Sequence, residues 1–196
     1  MNGIVFLAVA LLALLIASGA IVLLYNRLIR GRIMVQEGFS GIDVQLKRRH
    51  NLIPNLVKTV EGYAGFERTV LADVTRLRTQ AMGDASVADK ERDENALSNA
   101  LKTLFAVAEA YPDLRANAGF MNLQRELSAI EDVIQKARRY YNGTVREYNT
   151  QVQSFPVNFV ADMFHFRSAP FFELESLEAR ALPQVELNLG KKRSDA

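Results

Sequence analysis

The densest group of ionisable side chains is a run of four basic residues, Lys47-Arg48-Arg49-His50. Basic side chains grouped in this way could bind an anionic partner. On an α-helix, four successive residues spread over about 300°, so they cannot form one flat patch. We therefore expect one or two of them to face the protein interior and the others to face water. The alternative to an anion site is a solvated helix end, where basic side chains lie near the last carbonyl groups.

Residue types that most enzyme and metal sites need are scarce. The chain has no cysteine and two histidines, His50 and His165, which excludes disulfides, thiolate zinc sites and cysteine nucleophiles. It has no phosphate-binding loop, no Gly-x-Gly-x-x-Gly or His-Glu-x-x-His motif, no nucleophile elbow and no Glu-x-x-His spacing of di-iron bundles. The net charge of +2 argues against a dedicated nucleic-acid-binding protein. We therefore predict no catalytic residue, no metal ligand, no cofactor and no nucleic-acid partner.

Two charged residues interrupt an apolar stripe that begins at Phe39. Arg49 and Glu67 occupy positions at which the 3-4 spacing of the stripe predicts a buried side chain. A charge in a protein interior is costly unless an opposite charge pairs with it, so we expect partners on other helices. Arg49 and Glu67 need not pair with each other, and the other candidate partners are Asp43, Glu61 and Glu126. The alternative is that the guanidinium group of Arg49 reaches water at the end of a helical bundle.

The elements that would position these residues begin with an apolar segment. Residues 4–24 contain no charge, and a helix of that length spans about 30 Å, the thickness of the hydrocarbon core of a bilayer. A cleaved signal peptide is the alternative, but its apolar core is usually about 7–15 residues long and follows basic residues. We expect residues 1–25 to form a membrane anchor. Its predicted bilayer-contacting residues include Ile4, Leu12, Leu24 and, at the interface, Tyr25.

Basic residues flank this segment on one side. Arg27, Arg30 and Arg32 follow it, whereas neither Lys nor Arg precedes it. Because basic residues favour the cytoplasmic side of a membrane, they predict a single-pass topology with the N-terminus outside and residues 25–196 in the cytoplasm.

Helical spacing of apolar residues continues to Pro156. The clearest run extends from Phe120 to Val152, where spacings of 3 and 4 alternate as in a coiled-coil seam. No sustained period of two is present in this part of the chain. The pattern predicts an all-α fold, in which an N-terminal transmembrane helix is followed by an antiparallel up-and-down helical bundle over residues 26–154.

Pro54 leaves two interpretations of the bundle. It either begins a second helix, which gives four helices, or kinks one long helix, which gives three. A single helix from Asn26 to Ala81 would be about 84 Å long, far longer than its partners. We therefore favour four helices, with the first break near Asn51.

The basic run belongs to a longer motif, GIDVQLKRRHNLIPNLV over residues 41–57, which closely resembles the signature of the LemA family. The family-motif residues are Asp43, Gln45, Lys47, Arg48, Arg49, His50, Pro54 and Asn55. Further matches are Tyr25-Asn26-Arg27-Leu28, Val60-Glu61-Gly62-Tyr63-Ala64, Glu126-Leu127-Ser128-Ala129-Ile130-Glu131, Ala137-Arg138-Arg139-Tyr140-Tyr141-Asn142, Val145-Arg146-Glu147-Tyr148-Asn149 and Phe164-His165-Phe166. The resemblance implies a single-pass protein of the inner membrane of a bacterium with a cytoplasmic helical bundle. It also implies relatives linked to membrane or organelle organisation, such as magnetosome formation, and it carries over no catalytic residue.

More than half of the phenylalanines lie within residues 155–172. We expect residues 155–175 to form a short helix or cap, and residues 176–196 an extended, partly flexible tail. The segment either folds back over the bundle or presents an apolar surface to lipid or to another subunit. Four helical passes would return it to the membrane, whereas three would leave it at the far tip. The residues predicted to make interfacial or subunit contacts are Phe159, Met163, Phe164, Phe166, Phe171 and Phe172.

Together, an anchor, a helical bundle and an aromatic surplus predict a non-catalytic scaffold. We expect it to contact the lipid bilayer, to form a homo-oligomer and to organise membrane or membrane-associated assemblies. The alternative is a monomeric adaptor that holds a cytoplasmic protein partner at the membrane.

Overall fold

A computed structural model describes residues 2–63, 66–83 and 86–172, and every regular element within these ranges is an α-helix. The helices are α1 (Asn2–Glu61), α2 (Arg68–Ala81), α3 (Val87–Ala108), α4 (Pro112–Ala116), α5 (Ala118–Gln153) and α6 (Val157–Met163). The predicted all-α fold is thus confirmed. The tail predicted over residues 176–196 lies outside the described residues.

The first helix is longer than the sequence suggested. α1 is a single helix of 60 residues that includes Pro54, and its length is about 90 Å. The break expected near Asn51 is therefore wrong, because α1 continues through Pro54 to Glu61. The apolar segment and the first helix of the bundle are one continuous element.

A side chain from α2 explains how the helix tolerates a proline. Pro54 has no N–H group to donate to the carbonyl of His50, four residues earlier. The Nε of Arg78 donates to that carbonyl instead, at 2.7 Å. Pro54 therefore exposes a hydrogen-bond acceptor on α1, and α2 docks on it.

This pairing predicts that the effect of Arg78→Met depends on residue 54. In the wild type, the substitution should lower the free energy of unfolding by about 1.5–3 kcal/mol, since it removes a charged donor from a partly buried carbonyl. In a Pro54→Ala background the new N–H can bond the same carbonyl, so the loss should fall below about 1 kcal/mol. Urea unfolding of the four proteins of the double-mutant cycle measures the difference. Equal losses in both backgrounds would contradict this account.

Four long helices build the bundle, as favoured from the sequence, although the first break falls at residues 62–67. α5 runs antiparallel to α1, and the two approach closely at Gly38, where an added Cβ would lie 3.2 Å from Cα of Tyr141. α2 and α3 form a hairpin against the C-terminal half of α1. The fourth pass returns the end of α5 to the level at which α1 leaves its apolar segment.

The core has two parts. One cluster lies around Ile53, Leu97 and Leu127, where α1 to α5 meet at the end far from the apolar segment. The other lies around Leu28, Tyr141 and the segment after α5. In this second part only α1 and α5 are long helices, and residues 155–172 complete the core.

The chain after α6 returns along α5 as an extended segment, residues 165–172, which we call the strap. Its turn begins at His165, whose φ of 57° is in the left-handed region. The Asn149 amide bonds both the N–H and the C=O of Ala169, at 2.8 and 2.9 Å. The Asn142 amide does the same for Phe172, at 2.8 and 2.7 Å. These two asparagines hold the strap as a neighbouring β-strand would, and the segment after α6 therefore lies along α5.

Candidate functional site

Two residues of the basic run, Arg49 and His50, meet carboxylates inside the bundle. Arg49 and His50 on α1, Glu94 and Ser98 on α3, and Glu131 on α5 form a set that we call the charge cluster. The Arg49 side chain is 1% exposed and the Glu94 side chain is 0% exposed. The charge cluster therefore joins three helices at the middle of the protein.

Arg49 is the centre of this cluster. Its Nη1 donates to Glu131 Oε2 and to Ser98 Oγ, both at 2.7 Å. Its Nη2 donates to the other carboxylate, Glu94 Oε2, and to the Glu94 backbone carbonyl at 3.3 Å. The second oxygen of Glu94, Oε1, lies 2.9 Å from His50 Nε2. One guanidinium thus contacts carboxylates from two helices, which is the geometry that Arg provides and Lys does not.

The ionisation of Glu94 depends on these neighbours. Burial alone would raise the pKa of its carboxyl group, but the contact with His50 and the positive charge of Arg49 outweigh burial and hold the pKa below its usual value. Glu94 is consequently charged at neutral pH, and the charge is compensated inside the protein.

A second buried guanidinium connects this region to the strap. Arg138 donates from Nη1 to Asn95 Oδ1 at 3.3 Å, and its guanidinium lies 4.7 Å from the ring centroid of Phe172. Burial is the main cause that lowers the pKa of Arg138. Phe172 therefore covers a cation with its aromatic face, which is an attractive arrangement.

The basic run divides as its helical spacing requires. Arg49 and His50 are buried, whereas Lys47 and Arg48 are exposed. Arg49 and His50 are committed to Glu94, so an anionic partner could contact only Lys47 and Arg48. The solvated helix end is wrong, because α1 continues beyond His50 to Glu61.

The other motif residues lie on the surface of α1 or close to it. Asp43 pairs with Lys90 at 2.6 Å and with Lys47 at 3.1 Å, and the hydrogen bond from Lys90 is the main reason why its pKa is lowered. Gln45 accepts from Arg48 at 3.4 Å. Pro54 and Asn55 are exposed on α1. Asp43 thus ties α3 to α1 about two turns away from the charge cluster.

The predicted burial of Glu67 and the predicted partners of Arg49 differ from what the structure shows. Glu67 is exposed in the connection before α2, so its predicted burial is wrong. Asp43, Glu61 and Glu126 do not pair with Arg49, and the alternative that Arg49 reaches water is wrong as well. Glu94 was missed, although it precedes Leu97 by three residues and continues the apolar spacing of α3. Among residues 2–63, 66–83 and 86–172, no group of three His, Asp or Glu side chains could hold a metal ion.

Aromatic side chains cluster where α6 meets α1. The Tyr25 ring packs edge-on against Phe164 and Phe166, with centroids 4.8 and 5.6 Å apart. Leu24 is half-buried in the same cluster. Phe155, Phe159, Met163, Phe164 and Phe171 are exposed. Phe166 and Phe172 are buried in the core, so their predicted role as interfacial contacts is wrong.

Of the residues predicted to fix the anchor and its topology, Leu24 and Tyr25 pack against the core, whereas the others are exposed. Ile4 and Leu12 are exposed along the apolar part of α1, which is long and apolar enough to cross a membrane. Arg27, Arg30 and Arg32 are exposed on the next turns of the same helix.

One side of the α1–α5 pair is uncovered. Met34 is nine residues from Tyr25 and from Asp43, and therefore points about 180° away from the side on which α6 and α3 pack. Val133 and Tyr140 are likewise nine residues from Asn142 and Asn149, which hold the strap. All three side chains are exposed, and a Cβ added at the neighbouring Gly41 would meet nothing within 4 Å. We call Met34, Gly41, Val133 and Tyr140 the open face.

Comparison with known proteins shows what the chain is similar to. The profile of the LemA family matches residues 38–187. Protein LemA of Metamycoplasma hominis is 26% identical over 83% of this chain and 74% of its own length. Magnetosome protein MamQ 2 of Paramagnetospirillum magneticum is 23% identical over 85% of this chain and 71% of its own length. Magnetosome protein MamQ of Magnetospirillum gryphiswaldense is 22% identical over the same shares.

Proposed function

The chain belongs to the LemA family, and we propose that it is a membrane-anchored, non-catalytic scaffold whose copies associate side by side. In this role α1 anchors each copy, the bundle stands beside the membrane, and the open face joins one bundle to the next. An array of such copies would organise a patch of membrane or the proteins attached to it.

The membrane part of this proposal is supported by α1 and by the relatives. The N-terminal part of α1 is apolar, exposed and long enough to cross a bilayer. Two of the relatives are named as magnetosome proteins. Because Arg27, Arg30 and Arg32 follow the apolar segment directly, the bundle would lie in the cytoplasm of a bacterium.

The open face is the single observation that carries self-association. Tyr140 is 56% exposed, and Met34 and Val133 are exposed on the same side of the α1–α5 pair. An uncovered apolar face of this kind is typical of an interaction site. Gly41 lets another helix approach α1 closely, since it adds no side chain to the surface.

The direction of α1 makes side-by-side contact possible for anchored copies. Since the apolar segment and the bundle form one helix, the open face runs parallel to the anchor. Copies in one membrane would then present this face at the same height, where two of them can meet without tilting.

Light scattering after size exclusion in mild detergent tests the proposal. We expect the wild-type protein to be oligomeric at micromolar concentration and the Met34→Glu/Tyr140→Glu variant to associate at least about tenfold more weakly, which is about 1.4 kcal/mol. The reason is that association would bury two carboxylates without partners. Met121→Glu is the matched control, because Met121 is an exposed residue of α5 outside the open face.

Two outcomes would contradict the scaffold. A wild-type monomer at micromolar concentration would favour the monomeric adaptor. An equal loss of association in the Met121→Glu control would show that the charge acts without regard to the open face.

A further inference from the structure

The segment after α5 lies at the height at which α1 leaves its apolar part. A Cβ added at Gly31 would lie 3.1 Å from Tyr148 and 3.2 Å from Gln151, which fixes the antiparallel register of the two helices. In that register the last residue of α5, Gln153, is level with Asn26. Phe155 therefore lies at about the same height along α1 as Leu24 and Tyr25, where the uncharged segment of α1 ends.

The contacts of α6 confirm this height independently. Phe164, which follows α6 directly, has its ring 4.8 Å from that of Tyr25. Ile21 and Leu24, both in the uncharged segment, pack against the cluster that contains Val157 and Val160 of α6. α6 thus adjoins the last turn of the apolar part of α1.

The short helix buries one apolar face and exposes Phe159 and Met163 on the other, next to the exposed Asp162. Val157, Val160 and Ala161 face the core. Phe155 is 80% exposed and Phe159 is 63% exposed, and their rings pack edge-on with centroids 5.9 Å apart. With Met163 and Phe164, these two residues form a surface that we call the aromatic edge.

We propose that the aromatic edge inserts into the interfacial region of the same bilayer that α1 enters. Lipid is the occupant that the position favours, because the aromatic edge is continuous with the apolar surface of α1. Short apolar surfaces that carry Phe at the membrane boundary bind there, about 5–10 Å into the acyl boundary. The exposed Arg27 and Arg30 lie one to two turns away and add attraction to anionic lipid headgroups.

This second membrane contact goes beyond the proposed association of copies and does not depend on it. The open face is on the opposite side of the α1–α5 pair from the segment that packs on Tyr25. The aromatic edge would fix the orientation of each bundle relative to the membrane, whether or not the copies associate.

A single tryptophan tests the insertion, since the chain contains none. The full chain with Phe159→Trp is placed at one copy per nanodisc, in phosphatidylcholine with one quarter phosphatidylglycerol. Lipids brominated on the upper acyl chain should quench its emission at least about twofold, because they lie at the depth expected for the aromatic edge. Met121→Trp, near the start of α5 at the far end of the bundle, is the matched control and should not be quenched by these lipids.

Each result decides the matter. Quenching of the Phe159→Trp protein by brominated lipid, with no quenching of the control, supports insertion. Quenching by aqueous iodide but not by brominated lipid would overturn it, because residue 159 would then face water. Protection from both quenchers would also overturn it, because residue 159 would then be covered by protein.

Discussion

Substituting Arg49 by methionine should lower the free energy of unfolding by about 3–5 kcal/mol, because it removes the guanidinium partner of a buried carboxylate. Glu94 is fully buried, and its two carboxylate oxygens contact Arg49 and His50. Methionine fills a similar space but supplies no donor to Glu94, Glu131 or Ser98. Urea unfolding of the full chain in mild detergent, followed by circular dichroism at neutral pH, measures the loss.

Arg48→Met is the control for this experiment, because Arg48 is the exposed neighbour on the same turn. It should change stability by less than about 0.5 kcal/mol. If the two substitutions cost the same, the charge cluster does not stabilise the fold.

The pH dependence of the same pair of proteins provides a second check. In the wild type the pKa of Glu94 is lowered, so its contribution to stability is complete above the unfolded-state pKa and is lost as the pH falls through the folded-state pKa. In Arg49→Met the carboxyl group keeps the contact with His50 but loses the positive charge of Arg49, so burial should hold its pKa above the wild-type value. The difference in the free energy of unfolding between the wild type and Arg49→Met should therefore become smaller when the pH is lowered from 7 towards 4.

Phe172→Ala should also cost about 3–5 kcal/mol, because it empties a fully buried site between α5 and the strap. The substitution also removes the aromatic face from the guanidinium of Arg138. Phe171→Ala is the adjacent control, since Phe171 is exposed and its replacement should change stability by less than about 1 kcal/mol. Thermal unfolding, combined with limited proteolysis between residues 164 and 172, measures both effects.

The melting temperature and the rate of cleavage in the strap show whether Phe172 holds the strap to the bundle. If Phe172→Ala melts at a lower temperature and is cut faster in the strap, Phe172 holds the strap to the bundle. If neither property changes relative to Phe171→Ala, the strap is held by its hydrogen bonds to Tyr141, Asn142 and Asn149.

Regular helices with apolar periodicity were predictable from the sequence. α3 and α5 follow directly from their 3-4 spacing, and the four-pass topology follows from the number of such runs. The first break was not predictable from Pro54, because the helix continues when another group satisfies the carbonyl that proline cannot. That group, Arg78, lies on α2, and nothing local to Pro54 indicates it.

The burial of Arg49 was predictable from the sequence, but its partners in the charge cluster were not, for a similar reason. The apolar stripe indicated that Arg49 is buried and must be paired, but a stripe does not show which helices are adjacent. Glu94 was detectable only as the polar residue that precedes Leu97 at core spacing. Asn142 and Asn149 were not detectable as strap-binding residues, because their partners are backbone groups and leave no pattern in the sequence.

The uninterrupted α1 gives the protein the properties of a rigid lever. A tilt of the apolar segment by 10° would displace Glu61 sideways by about 9 Å, since about 54 Å of helix lies beyond Tyr25. Helices that are too long for a thin bilayer tilt to match it. Under the proposed anchoring, and without a second contact at the aromatic edge, local membrane thickness would thus be converted into a lateral movement of the far tip of the bundle.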